Sequence, residues 1–154
     1  MACKTVYKTN VMDENIADYL YNYLAQEVKW VEGIRSRNGF TRKAHMVSKD
    51  TVLFEELIPY VNNALGQLTE TKYNILGLYL NYYENGNMYT PNHSHKGTHQ
   101  LVISLGTTRV LDVGKKHYNM GNGDAIIFGS AIHGVPRSNT TEGRISIATF
   151  MVPI

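Results

Sequence analysis

The sequence predicts an α+β fold, two helices followed by an antiparallel β-sandwich, barrel or jelly roll. Two observations predict it. Up to residue 70, apolar residues recur at helical spacing. Beyond it, the chain breaks into short β-branched or aromatic runs, each bounded by Gly, Asn, Pro or Asp. Such runs, spaced by roughly eight to twelve residues, argue against a parallel βαβ sheet. A length of 154 residues fits one domain, and 43% hydrophobic residues suffice for a core. No repeat, charge block or Pro/Gly/Ser-rich linker divides the chain, so residues 1–154 are read as a single domain.

The first helix is predicted in DENIADYLYNYLAQEVKW, where Ile16, Tyr19, Leu20, Tyr23, Leu24 and Val28 form one stripe. Asp13 and Glu14 suit its first turn. The second is predicted in DTVLFEELIPYVNNALGQL, with Asp50 as N-cap and Val52, Phe54, Leu57, Ile58, Val61 and Leu65 as the buried side. Pro59 within it predicts a kink or a break. Between the helices, EGIRSRNGFTRKAH reads as a polar, flexible segment with Arg35, Arg37, Arg42 and Lys43 around Phe40. Strands follow in NILGLYLNYY, HQLVISLG, TRVLDVG, KHYNMG, DAIIFGS and RISIATFMV.

A net charge of +2 neither requires nor excludes a nucleic-acid partner. The single cysteine, Cys3, makes no internal disulfide and no thiolate metal site by itself. No apolar run approaches the ~20 residues that span a bilayer. These features lead us to expect a soluble, cytoplasmic protein without a membrane partner. Eleven tyrosines point to many half-buried strand or pocket positions.

Six histidines fall at 45, 93, 95, 99, 117 and 133. Three lie within PNHSHKGTHQLVISLG. Side chains at i and i+2 of a strand share a face, so His93 and His95 point together, whereas Gly97 is expected to bend the chain before His99. His133 follows the apolar strand DAIIF in FGSAIHGVPRS. Two ligands at i, i+2 and a third from a distant strand is how double-stranded β-helix proteins hold a catalytic metal, leaving other positions open for substrate and dioxygen. Asp124, in GNGD, reads as a turn residue, and His45 and His117 as surface or packing residues.

The stretch from Leu78 to Phe150 resembles the 2-oxoglutarate and Fe(II)-dependent dioxygenases, closest to the AlkB-like branch. Matching pieces come in order: LNYYENG with Asn81 and Tyr83, then HSH, then Ser104, Leu105 and Gly106. Gly123 and Asp124, His133 in a His-Gly-Val-Pro context, and Arg144 complete the set. The resemblance implies a double-stranded β-helix (jelly roll) core over 71–154, with 1–70 as helical support and candidate substrate lid. It implies Fe(II) held by His93, His95 and His133, with Arg144 on the distal carboxylate of 2-oxoglutarate and Tyr83 and Asn81 bonding the same co-substrate. Ser146 shares the strand face of Arg144 and is a further candidate. The implied activity is oxidative hydroxylation or demethylation using dioxygen, with a nucleobase as one candidate substrate.

Two departures stand out. The family has Asp where this chain has His95, and the AlkB-like branch has a second Arg where this chain has Phe150. Replacing the carboxylate by imidazole raises the charge of a divalent centre from +1 to +2, which strengthens attraction for a dianion. A cupin is the rival within the same architecture, matching His93, His95, Gln100 and Gly106 but leaving Arg144 idle. A non-catalytic metal or 2-oxoglutarate-binding module, and a hydroxylase of a protein side chain or small molecule, are the other readings. For nucleic acid, Arg35, Arg37, Arg42, Lys43 and Phe40 offer charge and stacking.

Overall fold

The computed structural model describes residues 3–36 and 39–154, with side chains described outside 33–40. Arg37 and the side chains of Arg35 and Phe40 therefore lie outside the described residues. In chain order the elements are β1 (Val6–Lys8), α1 (Glu14–Glu27), β2 (Val31–Ser36), β3 (Gly39–Val47), α2 (Val52–Leu68) and β4 (Tyr73–Tyr83). Then come β5 (Thr90–His93), β6 (His99–Gly106), β7 (Arg109–Val113), β8 (Lys116–Met120), β9 (Ala125–Phe128), β10 (His133–Val135) and β11 (Arg144–Pro153).

Two antiparallel sheets face each other. The larger has the order β1-β9-β6-β11-β4-β3-β2, the smaller β5-β10-β7-β8. The inner strands of the large sheet are covered on both faces, by the helices on one side and the small sheet on the other. On the outer face, Leu78, Leu80, Ile103, Leu105, Ile145 and Ile147 pack with Leu20 and Leu24 of α1 and Leu57 and Val61 of α2. On the inner face, Val102, Ile126, Phe128 and Ala148 meet Leu111, Val113, Met120 and Val135 of the small sheet and its neighbours. The predicted two-helix, antiparallel β arrangement is the one observed, and the sandwich is a jelly roll.

Several local expectations are corrected. EGIRSRNGFTRKAH is no loop: β2 and β3 pair as a hairpin, and β3 continues onto β4 with Lys43 opposite Tyr82 and Met46 opposite Tyr79. The N-terminal 70 residues thus contribute three strands to the large sheet as well as helices. Helix α1 buries Ala17, Leu20 and Leu24, while Ile16 and Tyr19 are 42% and 62% exposed. The small Ala17 side chain lets the helix backbone approach the sheet, which rotates the apolar stripe by one position. Val52, at the very start of α2, is exposed, and the buried side continues instead to Ala64 and Leu68. Helix α2 runs through Pro59 unbroken. Pro59 and Glu55 face solvent, so the Glu55 carbonyl that loses its helical partner is accessible to water.

The N-cap of α2 is Thr51 rather than Asp50: its hydroxyl accepts from the Phe54 amide at 3.2 Å. Thr51→Ala should therefore destabilise the protein by about 1 kcal/mol. Asp50→Ala should stay within ~0.5 kcal/mol of the unsubstituted protein. Urea midpoints of the two variants measure the difference, and equal losses would restore Asp50 as the cap.

Candidate metal centre and its cavity

Strand pairing builds the histidine cluster. His133 opens β10 and lies directly opposite His93, the last residue of β5. His95 sits just past the end of β5, in the stretch that Gly97 (φ +82°) turns back into β6. The ligand atoms of His93, His95 and His133 all lie within 4.8 Å of one another. Ring centroids are 4.3 Å apart for His93 and His133, 4.8 Å for His93 and His95, and 5.5 Å for His95 and His133.

Backbone carbonyls orient two of the rings. His93 Nδ1 lies 2.8 Å from the Pro91 carbonyl and His133 Nδ1 3.0 Å from that of Ala131. A carbonyl only accepts, so each Nδ1 carries the proton and each Nε2 keeps its lone pair. Burial pulls the His133 pKa down to about 4, with His93 and His95 adding to the effect and the Ala131 bond opposing it. Burial and the neighbouring His93 lower that of His95, whose ring stands edge-on to Phe150 at 5.1 Å. Neutral imidazoles with free Nε2 atoms are the state a divalent transition metal binds.

These rings line one wall of a cavity of about 540 Å³ between the sheets. The other expected residues line the same cavity: Asn81, Tyr83, Arg144 and Ser146. Arg144 is 1% exposed. Its Nε donates to Ser104 Oγ at 2.8 Å, its guanidinium lies 5.2 Å from the Tyr83 ring centre, and its Nη2 has no protein partner. Burial lowers its pKa to about 10, leaving it cationic at neutral pH. Asn81 Nδ2 donates to Ser146 Oγ at 3.3 Å, and the Tyr83 and Thr90 hydroxyls bond at 2.7 Å. A buried guanidinium with an unpartnered nitrogen fits a carboxylate.

The remaining histidines stay outside. His99 bonds the Tyr73 hydroxyl at 2.7 Å, His45 lies against the Lys29 carbonyl, and His117 pairs with Asp112 on the surface. Asp124 is the turn residue expected, accepting from the Asn10 and Gly121 amides. Lys43 is engaged by Glu84 at 3.1 Å and Glu32 at 3.3 Å, outside the cavity.

Three polar residues of the site region had no place in the oxygenase reading of the sequence, Gln100 having entered only as a match to the cupin rival. Arg42 was expected to face nucleic acid, yet it lines the cavity and donates from Nε to Asn81 Oδ1 at 2.6 Å. Gln100 also lines it, 2% exposed, with Nε2 unpartnered. Its place as the polar residue opening an apolar strand was the available signal. Arg109, 1% exposed, donates to the carbonyls of Asn85, Met88 and Pro136 and carries no motif that marks it.

No model of a known protein family matches the sequence, and neither does any curated protein. Solved structures share the fold. One is SnoN, a non-heme alpha ketoglutarate dependent epimerase from nogalamycin biosynthesis, with TM-score 0.71 and 14% identity over 96% of this chain and 76% of that one. SnoN is also known in complex with Fe3+, alpha ketoglutarate and nogalamycin RO. A second is a prolyl hydroxylase from Trichoplax adhaerens bound to a hypoxia inducible factor peptide fragment, with TM-score 0.62 and 12% identity over 96% of this chain and 82% of that one. A third is a 2OG-Fe(II) oxygenase family oxidoreductase from Burkholderia pseudomallei, with TM-score 0.62 and 16% identity over 96% of this chain and 84% of that one. At such identities the likeness is one of fold: the chain is a jelly roll of the kind these oxygenase structures share. Among the described residues, no helix is long and apolar enough to cross a membrane.

The His133 shift has a measurable consequence. The ring titrates at about 4 when folded against an ordinary 6.5, so between these values the unfolded chain binds more protons. Metal-free protein should thus lose up to ~3 kcal/mol through this group as pH falls from 6.5 towards 4. Urea midpoints at pH 7 and pH 4.5 measure it, the His133→Asn variant lacking this part of the acid loss. Identical pH profiles would contradict a buried neutral ring.

Proposed function

We propose that this protein is an Fe(II)- and 2-oxoglutarate-dependent dioxygenase that hydroxylates or demethylates its substrate at the His93–His95–His133 centre. One observation carries the reading: a cavity holds both a cluster of three imidazoles and a buried guanidinium with no anionic partner among the described residues. The fold likeness to oxygenase structures, among them SnoN with Fe3+ and alpha ketoglutarate, supports it.

Iron, when bound, supplies the coupling of dioxygen reduction to oxidation of the substrate and of the 2-oxo acid. The chain's own residues do the rest. His93 and His133 present Nε2 from rings that backbone carbonyls lock in place. Arg144 takes the distal carboxylate of 2-oxoglutarate, beside the polar side chains of Ser146 and Asn81. The Tyr83 ring stands against that guanidinium and keeps water from it. A cupin would leave Arg144 without a role. The nucleobase reading of the AlkB-like branch draws no support from Lys43, which Glu32 and Glu84 hold, or from Arg42, which turns into the cavity. A small molecule suits the cavity better.

Purified protein with Fe(II), ascorbate and labelled 2-oxoglutarate should release carbon dioxide slowly even without a prime substrate. His93→Ala and His133→Ala should abolish metal binding. Arg144→Ala should weaken 2-oxoglutarate binding by roughly 2–5 kcal/mol, the range for removing one partner of a buried charge pair. Calorimetry of the metal-loaded protein reads this directly. Absence of both carbon dioxide release and 2-oxoglutarate binding would end the oxygenase reading, and release without binding loss in the variant would remove Arg144 from it.

A further inference from the structure

We propose that the prime substrate carries an anionic group, a carboxylate or phosphate, on an apolar body, and that Arg42 binds that group. This rests on the oxygenase reading and adds the substrate class to it.

Arg42 and Lys43 are neighbours on β3 and therefore face opposite sides of the sheet. The acids nearby, Glu32 and Glu84, both pair with Lys43 on the outer side. Arg42 faces the cavity, and its partners among the described residues are neutral, Asn81 Oδ1 at 2.6 Å and Thr41 Oγ1 at 3.2 Å. Among the described residues, no carboxylate stands within ion-pair distance of Arg42, and none lines the cavity.

A polar belt thus crosses the cavity floor. It runs Thr41–Arg42–Asn81–Ser146 over β3, β4 and β11, and Arg144–Ser104 continues it onto β6. The two guanidiniums stem from strands two places apart, about 10 Å at the usual spacing. One small diacid with its keto-acid end at the histidines and its distal carboxylate on Arg144 leaves Arg42 without a counter-charge.

Charge decides the matter. Three neutral imidazoles and a divalent ion bring +2, and the two arginines bring +2. Dianionic 2-oxoglutarate removes only half of this. The Asp-to-His95 exchange, relative to the family resembled, is what leaves the excess so large. Uncompensated charge in a half-closed cavity is expensive, and an anionic substrate offsets it. The unpartnered buried polar atoms of the lining, Arg144 Nη2 and Gln100 Nε2, are likewise donors awaiting acceptors. Met46, Tyr79 and Phe150 supply apolar wall, and about 540 Å³ is room for a drug-sized ligand rather than a five-carbon diacid alone.

The test uses the zinc-loaded protein saturated with 2-oxoglutarate, titrated calorimetrically with benzoate, phenyl phosphate and benzamide. Benzoate or phenyl phosphate should bind alongside 2-oxoglutarate, at least about tenfold tighter than neutral benzamide. The stronger of the two anions identifies the headgroup. Arg42→Gln should bring the anions down to the level of benzamide. Arg42→Lys, which keeps the charge but loses the planar fork, should retain part of the preference and serves if the glutamine variant does not fold. Anions that displace 2-oxoglutarate, anions held equally by Arg42→Gln, or benzamide binding as well as benzoate would each overturn the proposal. So would a loss in Arg42→Gln confined to 2-oxoglutarate, which would assign Arg42 to the co-substrate. Failure of 2-oxoglutarate to bind the unsubstituted protein strikes the oxygenase reading instead. The titrations repeated without it, comparing Arg42→Gln with Arg144→Gln, then show which guanidinium holds the anion.

Discussion

Burying a guanidinium without a carboxylate is the constraint from which the rest of this molecule can be understood. Among the described residues two arginines are in that position, each 1% exposed and each with its guanidinium 5.2 Å from the Tyr83 ring centre. Arg109 resolves most of it within the fold: carbonyls of Asn85, Met88 and Pro136 accept hydrogen bonds from its two terminal nitrogens and tie two connecting segments to β7, leaving only its Nε without a partner. Arg144 does not. The Ser104 hydroxyl and an aromatic face are weak substitutes for an anion, and desolvation pulls its pKa to about 10. The same residue type at the same depth is thus structural in one place and, in the function proposed above, a ligand seat in the other, and the partners tell them apart.

The histidine centre obeys the complementary rule, that a metal-binding ring must be neutral and held. Main-chain carbonyls fix two of the three rings, and burial keeps His133 unprotonated far below neutral pH. Their convergence depends on close contact between β5 and β10. A side chain at Gly134 would place its Cβ 2.4 Å from Asn92 Oδ1 and 2.8 Å from the Thr90 carbonyl. The glycine after His133 is therefore what lets His93 and His133 stand opposite each other. His95 is the exception, steadied by the Phe150 edge where the resembled family has a carboxylate in its place.

The sequence made the long strands and the three clustered histidines legible because apolar period and residue spacing are local signals. Cavity-lining Arg144, Asn81 and Tyr83 were legible only through the ordered set of motifs, since a lone arginine on a strand has no local mark of depth, and Ser146 followed from the strand face it shares with Arg144. The misses have a common cause. β1, β5 and β10 are three or four residues long, too short for a period to show, and their pairing is decided by partners far along the chain. The hairpin β2–β3 read as a polar loop because its charges point outward at Lys43 and inward at Arg42, so neither face looks apolar. Tyr19 and Ile16 misled for the opposite reason, as apolar residues left outside once Ala17 took the contact.

Strand β11 shows why core and site cannot be separated in this fold. Its even residues Arg144, Ser146, Ala148 and Phe150 line the cavity, and Ile145, Ile147 and Met151 pack beneath the helices. It is hydrogen-bonded along its length to β4 and β6, setting Arg144 opposite Tyr83 and Gly106, and Ser146 opposite Asn81 and Ser104. A slip of one residue would send Arg144 into the apolar layer under α1 and Ile145 into the cavity. The helices that appear to be mere support therefore fix the register on which the guanidinium's position depends. By filling the outer face with Leu20, Leu24, Leu57 and Val61, they make the register that buries Ile145 and Ile147 the favourable one. The cost of holding an unpaired cation at the cavity floor is thus met by apolar burial on the far side of the same strand.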